Sequence, residues 1–179
     1  MSTIKLHDLH FNPFISEDEL SKIVSSLVKE VSADLEPNEV PLFIGILNGS
    51  FLFAADFIRK YQNNCEVSFV KLSSYQGTES SEIVNELIGI NEDLTGRTVI
   101  ILEDIIDTGS TLHKIYDTFK NKNVKQLKIA TLFFKPDVYR KELPIDYIGK
   151  SIEDKFIVGY GLDYNGLGRN LPAIYQLTK

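Results

Sequence analysis

The stretch Val99 to Leu112, VIILEDIIDTGSTL, constrains this 179-residue chain more than any other. Val99 to Leu102 is a continuous aliphatic run, as expected of a strand covered on both faces. Glu103 and Asp104 end that strand, and Asp107-Thr108-Gly109-Ser110-Thr111 opens a helix running from about Ser110 to Lys120. A helix amino end offers free N–H groups and the positive end of a dipole, which suits a phosphate group. Gly109 lets the backbone come close to a ligand, and Thr108, Ser110 and Thr111 add hydroxyls. The GxxxxGK[ST] pattern is absent, so this is a different kind of phosphate loop. Two carboxylates beside such a loop make sense if they take ribose hydroxyls or Mg²⁺, which prefers oxygen ligands. The competing reading is purely structural: Asp107 or Ser110 caps the helix, and the two acids are solvated.

The rest of the chain repeats the strand-loop-helix rhythm. Ser16-Glu17-Asp18-Glu19 has the form of a capping box. Leu20, Ile23, Val24, Leu27, Val28 and Val31 follow it at helical spacing. Glu36 to Glu39 reads as a turn, Val40 to Leu47 as a buried strand, and Phe51 to Tyr61 as a helix. Further strands are expected at Glu66 to Leu72, Leu127 to Phe134, Tyr147 to Ile148 and Phe156 to Tyr160, with a polar loop from Ser73 to Glu82. Strands alternating with helices predict an α/β fold with a mostly parallel central sheet flanked by helices. Ligands then bind beyond the carboxyl ends of the strands. Two loops qualify, Leu47-Asn48-Gly49-Ser50 and the one after Leu102.

Composition narrows the classes. A hydrophobic fraction of 43% supplies a full core, and no repeat or long linker divides the chain, so one domain over residues 1–179 is expected. Nineteen basic against 25 acidic residues, a net charge of −6, argue against a general nucleic-acid binder. Cys65 is the single cysteine, so neither a disulfide framework nor a cysteine metal site forms within the chain, which fits a reducing cytoplasm. Residues Met1 to Phe14 lack the apolar core of a signal peptide, and no apolar run reaches membrane-spanning length. His7 and His10 lie in a terminal segment expected to be solvated. No GxSxG or HExxH supports a hydrolase or zinc-protease reading.

The stretch Ile101 to Thr111, ILEDIIDTGST, resembles the phosphoribosyl pyrophosphate motif of the type I phosphoribosyltransferases, in wording close to their hypoxanthine-guanine branch. The resemblance extends from about Val40 to Thr178. It implies that family's fold, including a small hood formed by the N- and C-terminal segments. It implies that Glu103 and Asp104 hold the ribose hydroxyls or Mg²⁺, that residues Asp107, Thr108, Gly109, Ser110 and Thr111 cradle the 5′-phosphate, and that Asp107 accepts the purine N7 proton. Gly45-Ile46-Leu47-Asn48-Gly49-Ser50 is similar to the family's pyrophosphate loop, with a non-proline cis peptide implied between Leu47 and Asn48. Many members have lysine where this chain has Asn48, so the implied role there belongs to the backbone. Ser73-Ser74-Tyr75-Gln76-Gly77-Thr78 resembles a mobile lid whose Ser74 and Tyr75 close over the site; a lid suppresses hydrolysis of an oxocarbenium-like transition state.

Lys135 matches the family's purine-binding lysine. In Asp154-Lys155-Phe156-Ile157-Val158-Gly159-Tyr160-Gly161-Leu162-Asp163-Tyr164, the resemblance implies that Phe156 stacks on the base and the Ile157 backbone reads its edge. It also implies that Asp163 binds a second Mg²⁺ and that Arg169 meets the pyrophosphate. Taken singly, each has a plainer reading: a solvated lysine, a core aromatic, a turn aspartate. Together they imply an enzyme of purine salvage that transfers the 5-phosphoribosyl group from phosphoribosyl pyrophosphate to hypoxanthine or guanine, as a homodimer or homotetramer. The rivals are a xanthine-preferring relative and a non-catalytic sensor of phosphoribosyl pyrophosphate.

Overall fold

Aliphatic runs that are apolar on both faces need cover on both sides, and the computed structural model shows how they get it. It describes residues 2–74, 84–90 and 92–178. In chain order the elements are β1 (Ile4–Leu6), β2 (Leu9–Ile15), α1 (Glu17–Asp34), β3 (Leu42–Ile46), α2 (Phe51–Lys60), β4 (Glu66–Ser74), β5 (Val84–Ile88), β6 (Thr98–Ile106), α3 (Ser110–Lys120), β7 (Gln126–Phe134), β8 (Tyr147–Ser151), β9 (Ile157–Val158) and β10 (Ile174–Leu177).

The large sheet runs β5-β4-β3-β6-β7-β8. Every pairing in it is parallel except that of β4 with the edge strand β5. Side chains alternate across it with a period of two. Phe43, Ile100, Leu102, Ala130 and Leu132 pack with Val24, Leu27, Phe53 and Phe57 of α1 and α2. Their neighbours Leu42, Ile44, Val99, Ile101 and Ile129 pack on the opposite face with Leu112, Ile115 and Phe119 of α3. Burying each of these large side chains contributes roughly 1.5–3 kcal/mol.

This topology decides where a ligand can go. The chain leaves β3 through α2 toward β4 and leaves β6 through α3 toward β7, so neighbouring strands send their connections in opposite directions. A crevice opens at such a switch point. The loop 47–50 therefore stands beside the end of β6 and the loop 107–109 that follows it, although more than fifty residues separate them.

A second sheet, β1-β2-β10-β9, is antiparallel and joins both chain ends. It buries Phe11, Val158, Ala173 and Tyr175. His7 and His10 are exposed, as expected, but the segment is not a loose tail: Leu9–Ile15 is a paired strand, with Phe11 opposite Leu177. Its Pro13, which cannot donate a ladder hydrogen bond, pairs with Tyr175 beside a register shift. Two further boundaries differ from expectation. β6 runs on to Ile106, because β7 keeps pairing with it as far as Ile106↔Phe134, so Glu103 and Asp104 lie within a strand rather than after one. Ser73 and Ser74 belong to β4, paired with Asn85 and Val84 of β5, rather than to a loop. Among the described residues no helix is long and apolar enough to cross a membrane.

Candidate active site

At the end of β3 the chain turns through a cis peptide between Leu47 and Asn48, as the resemblance implies. The Leu47 amide donates to Val70 O at 2.8 Å, and the buried Ser50 hydroxyl donates to Ile46 O at 2.6 Å. Ser50 is thereby occupied behind the loop, and the amino end of α2 has neither a side-chain cap nor an acidic residue in its first turn. Asn48 is exposed. Gly49 is required by space: a Cβ there would stand 1.8 Å from Asp104 Oδ2. The loop after β3 and the end of β6 thus meet at Gly49 and Asp104.

Asp104 is 6% exposed, and burial pushes its carboxyl up to about 6, although the backbone amides of Asp104 and Ile105 and the nearby Arg169 favour the ionised form. Burial, and then the charge of Asp104, push Glu103 well above the ordinary carboxylate range. Glu103 Oε2 is buried with no hydrogen-bond partner. These two successive carboxylates, both raised by burial and one with an orphaned oxygen, offer oxygen donors of the kind that suit a hard cation or hydroxyl groups. Among the described residues no three His, Cys, Asp or Glu side chains gather into a metal-binding group, and Asp163 stands apart from this pair.

Beyond the acids lies an open pocket of about 200 Å³, lined by Glu103 and by residues Ile105, Ile106, Asp107, Thr108, Gly109, Ser110, Thr111 and Leu112. Gly109 is the N-cap of α3, with φ of 79°, and no side chain caps the helix. The structural reading, in which Asp107 or Ser110 is the cap, is therefore not what the helix does. Ser110 instead begins the helix, and its hydroxyl lies 3.3 Å from that of Thr108. The amides at this end are left for another partner. Tyr139 covers Gly109 so closely that a Cβ would meet its ring at 2.5 Å, and the Arg140 amide donates to Thr108 O at 3.4 Å.

Lys135 follows β7 directly. Its amide donates to Ile106 O at 3.0 Å, which ties it to the end of β6. Its side chain is 8% exposed, and Nζ lies 2.8 Å from Asp107 Oδ1 and 3.2 Å from Asp154 Oδ1. Lys135 is therefore a buried, doubly paired ammonium rather than a solvated one. Phe156 is 44% exposed, and its ring is braced by Phe11 at 6.1 Å and by Tyr164, edge-on, at 5.9 Å. Ile157 is buried in β9. Arg169 reaches Asp163 at 2.6 Å and donates to Gly161 O at 2.7 Å. Gly161 in turn is pressed on the β3 loop, since a Cβ there would lie 2.0 Å from Gly49 O.

The crevice thus brings together Asn48, Gly49, Glu103, Asp104, the 107–111 loop and Lys135. Phe156 and Asp163 approach from the small sheet. Ser74 ends β4 and Tyr75 lies outside the described residues. Three neighbours went unremarked in the sequence: Tyr139 over Gly109, Asp154 on Lys135, and Tyr164 against Phe156. Each is distant in sequence from what it touches or lies in a run whose pattern carries no sign of the contact.

This fold is that of a phosphoribosyl transferase domain, the family that matches residues 16–165. The hypoxanthine-guanine phosphoribosyltransferase of Staphylococcus epidermidis is 37% identical over 167 residues, 93% of each chain. That of Streptococcus pneumoniae is 39% identical over 166 residues, 92% of each chain. A crystal structure of a hypoxanthine-guanine phosphoribosyltransferase from Bacillus anthracis, with a HEPES molecule in its active site, superposes with a TM-score of 0.86 at 41% identity, over 93% of this chain and 98% of that one. The chain belongs to the phosphoribosyltransferases and, within them, to the hypoxanthine-guanine family.

Proposed function

We propose that this chain transfers the 5-phosphoribosyl group of phosphoribosyl pyrophosphate to hypoxanthine, and to guanine, giving the nucleoside monophosphate and pyrophosphate in purine salvage. The observation that carries the base assignment is the Lys135–Asp107 pair at 2.8 Å. It sets a hydrogen-bond donor and an acceptor side by side, complementary to the adjacent O6 and N7–H of a 6-oxopurine. A 6-amino group has no acceptor to offer an ammonium. Phe156 supplies an exposed ring for stacking.

In the reaction the purine N9 forms a bond to C1 of the ribose as the bond from C1 to the pyrophosphate oxygen breaks. Asp107 takes the N7 proton as general base. Residues 107–111 hold the 5′-phosphate through backbone amides and the hydroxyls of Thr108, Ser110 and Thr111. The amides of Asn48 and Gly49, in the loop 47–50 whose Leu47 and Ser50 amides bond Val70 O and Ile46 O, take the pyrophosphate together with Arg169. Glu103 and Asp104 hold the ribose hydroxyls. The orphaned oxygen of Glu103 and the oxygen-only donor set suit Mg²⁺: Glu103 and Asp104 would hold one ion and Asp163 a second, and the metal would supply positive charge to neutralise the pyrophosphate. Ser74 and Tyr75 belong to the lid in this reading. A single domain, a cytoplasmic location and a homodimer or homotetramer complete it.

Turnover with phosphoribosyl pyrophosphate and each of hypoxanthine, guanine, xanthine and adenine tests the proposal. Hypoxanthine and guanine should be consumed, and adenine should not. Phosphoribosyl pyrophosphate binding without turnover of any base would indicate a sensor, and a preference for xanthine would move the base assignment. Sedimentation equilibrium tests the oligomeric state.

A further inference from the structure

We propose that Asp154 is a positioning residue for base recognition: it keeps the Lys135 ammonium aimed at the 6-oxo group once the base has drawn Asp107 away. The proposal rests on Lys135 being the purine lysine. The side chain of Lys135 is 8% exposed, and two carboxylates share its ammonium, Asp107 at 2.8 Å and Asp154 at 3.2 Å. When the base enters, Asp107 must turn an oxygen to N7–H. O6 is neutral, so a desolvated ammonium left with it alone would lack a counter-ion. Among the described residues Asp154 is the other carboxylate in salt-bridge range of Lys135.

Asp154 is placed for this by the same short segment that carries the stacking ring, since it lies two residues before Phe156. The Phe156 carbonyl accepts from the Leu177 amide at 2.9 Å, which anchors that segment to β10. The intervening Lys155 does not compete for Asp154: it pairs with Glu153 at 2.8 Å, across a turn closed by the bond from Lys155 N to Glu153 O. Without Asp154, the ammonium has every reason to collapse onto Asp107. The base would then have to break a tighter ion pair before either group could bind it. The carboxylate of Asp154 is 56% exposed, so as a plain ion pair it would be worth little to stability. A substitution there should therefore leave the fold intact.

The test is steady-state kinetics on Asp154→Asn, Asp154→Glu, Lys135→Ala and the Asp154→Asn/Lys135→Ala double variant. Asp154→Asn should raise KM for hypoxanthine about tenfold, the scale of one charge-assisted hydrogen bond. KM for phosphoribosyl pyrophosphate and Tm should stay unchanged. Asp154→Glu should recover most of the loss, and Asp154→Asn should add nothing in the Lys135→Ala background. An unchanged hypoxanthine KM in Asp154→Asn, with a raised one in Lys135→Ala, overturns the proposal and leaves Lys135 as the purine lysine. A full-sized effect of Asp154→Asn in the absence of Lys135 also overturns it. An unchanged KM in Lys135→Ala removes the reading beneath it, and the proposal with it.

Discussion

The amino ends of α1 and α3 are built to opposite plans. At α1, Ser16 accepts a hydrogen bond from the Glu19 amide at 3.2 Å, and Glu17, Asp18 and Glu19 fill the first turn with negative charge. At α3, Gly109 is the N-cap, no side chain caps the helix, and the first turn holds no acid. The free N–H groups of any helix start must find partners. α1 finds its own and repels anions, whereas α3 leaves its amides facing a pocket and welcomes an anion. Hydroxyl-bearing residues sit at both ends, so residue type alone does not separate a structural helix start from a binding one. The difference lies in whether the side chain bonds the helix's own backbone.

The largest expected effect is at Asp107. Asp107→Asn should lower kcat by about 10²–10⁴, the usual contribution of a positioned general base. Because Asp107 caps nothing, Asp107→Asn and Asp107→Ala should lower Tm alike, through the lost ion pair with Lys135, and Ala should add no loss of a cap. Wild-type turnover in the Asn variant would leave the α3 end as a phosphate cradle only. A Tm for the Ala variant well below that of the Asn variant, which can still cap, would restore the capping role and erase the contrast with α1.

Asp104 comes next. Burial pushes its carboxyl up to about 6, above the ordinary carboxylate range, so folding favours its neutral form. Stability of the ligand-free protein should therefore fall as pH rises from about 4 through 6, and the penalty should persist above that window. Asp104→Asn should raise Tm of the ligand-free protein by a few degrees at pH 7.5 and by less at pH 4.5, as calorimetry would show. It should also weaken phosphoribosyl pyrophosphate binding in the presence of Mg²⁺ by about tenfold or more. A lower Tm at pH 7.5 would mean that the carboxylate stabilises the empty crevice.

Gly109→Ala should be smaller in stability than Asp107→Asn is in catalysis. A left-handed backbone at a non-glycine residue costs about 1–2 kcal/mol, and here the Cβ also meets the Tyr139 ring. Chemical denaturation should show that loss, with KM for phosphoribosyl pyrophosphate raised alongside it. Unchanged affinity would mean that the cradle does not depend on this turn. Ser16→Ala should be smallest, about 1 kcal/mol of stability, with both KM values and kcat unchanged. A kinetic effect there would show that the two helix ends are coupled.

Much of this was legible in the sequence, for reasons that are local. The aliphatic runs of β3, β6 and β7, the helical spacing of α1, and the Asp107–Thr111 loop are short-range patterns, and each became the element expected of it. The capping box was only half legible. Ser16 caps α1, but the Glu19 carboxylate goes to Lys150 at 3.0 Å, an ion pair across 131 residues. The terminal strands were not legible in local pattern; only the family resemblance implied a hood formed by both chain ends. Leu9–Ile15 contains a proline and alternates weakly, and it becomes a strand because β10 from the far end of the chain supplies its hydrogen bonds.

The sequence by itself determined the alternation of strands and helices and the chemical types of the crevice, because those rest on side-chain spacing and on the chemistry of single residues. The tertiary structure alone decided which of those groups act on one another. Parallel pairing of β3 and β6 brings Gly49 under Asp104. Extension of β6 leaves Asp104 buried and Glu103 half-buried with Oε2 enclosed, and the segment after β8 sets Asp154 on Lys135. Burial and long-range distance set desolvation and charge pairing, and neither is a property of neighbouring residues in the chain.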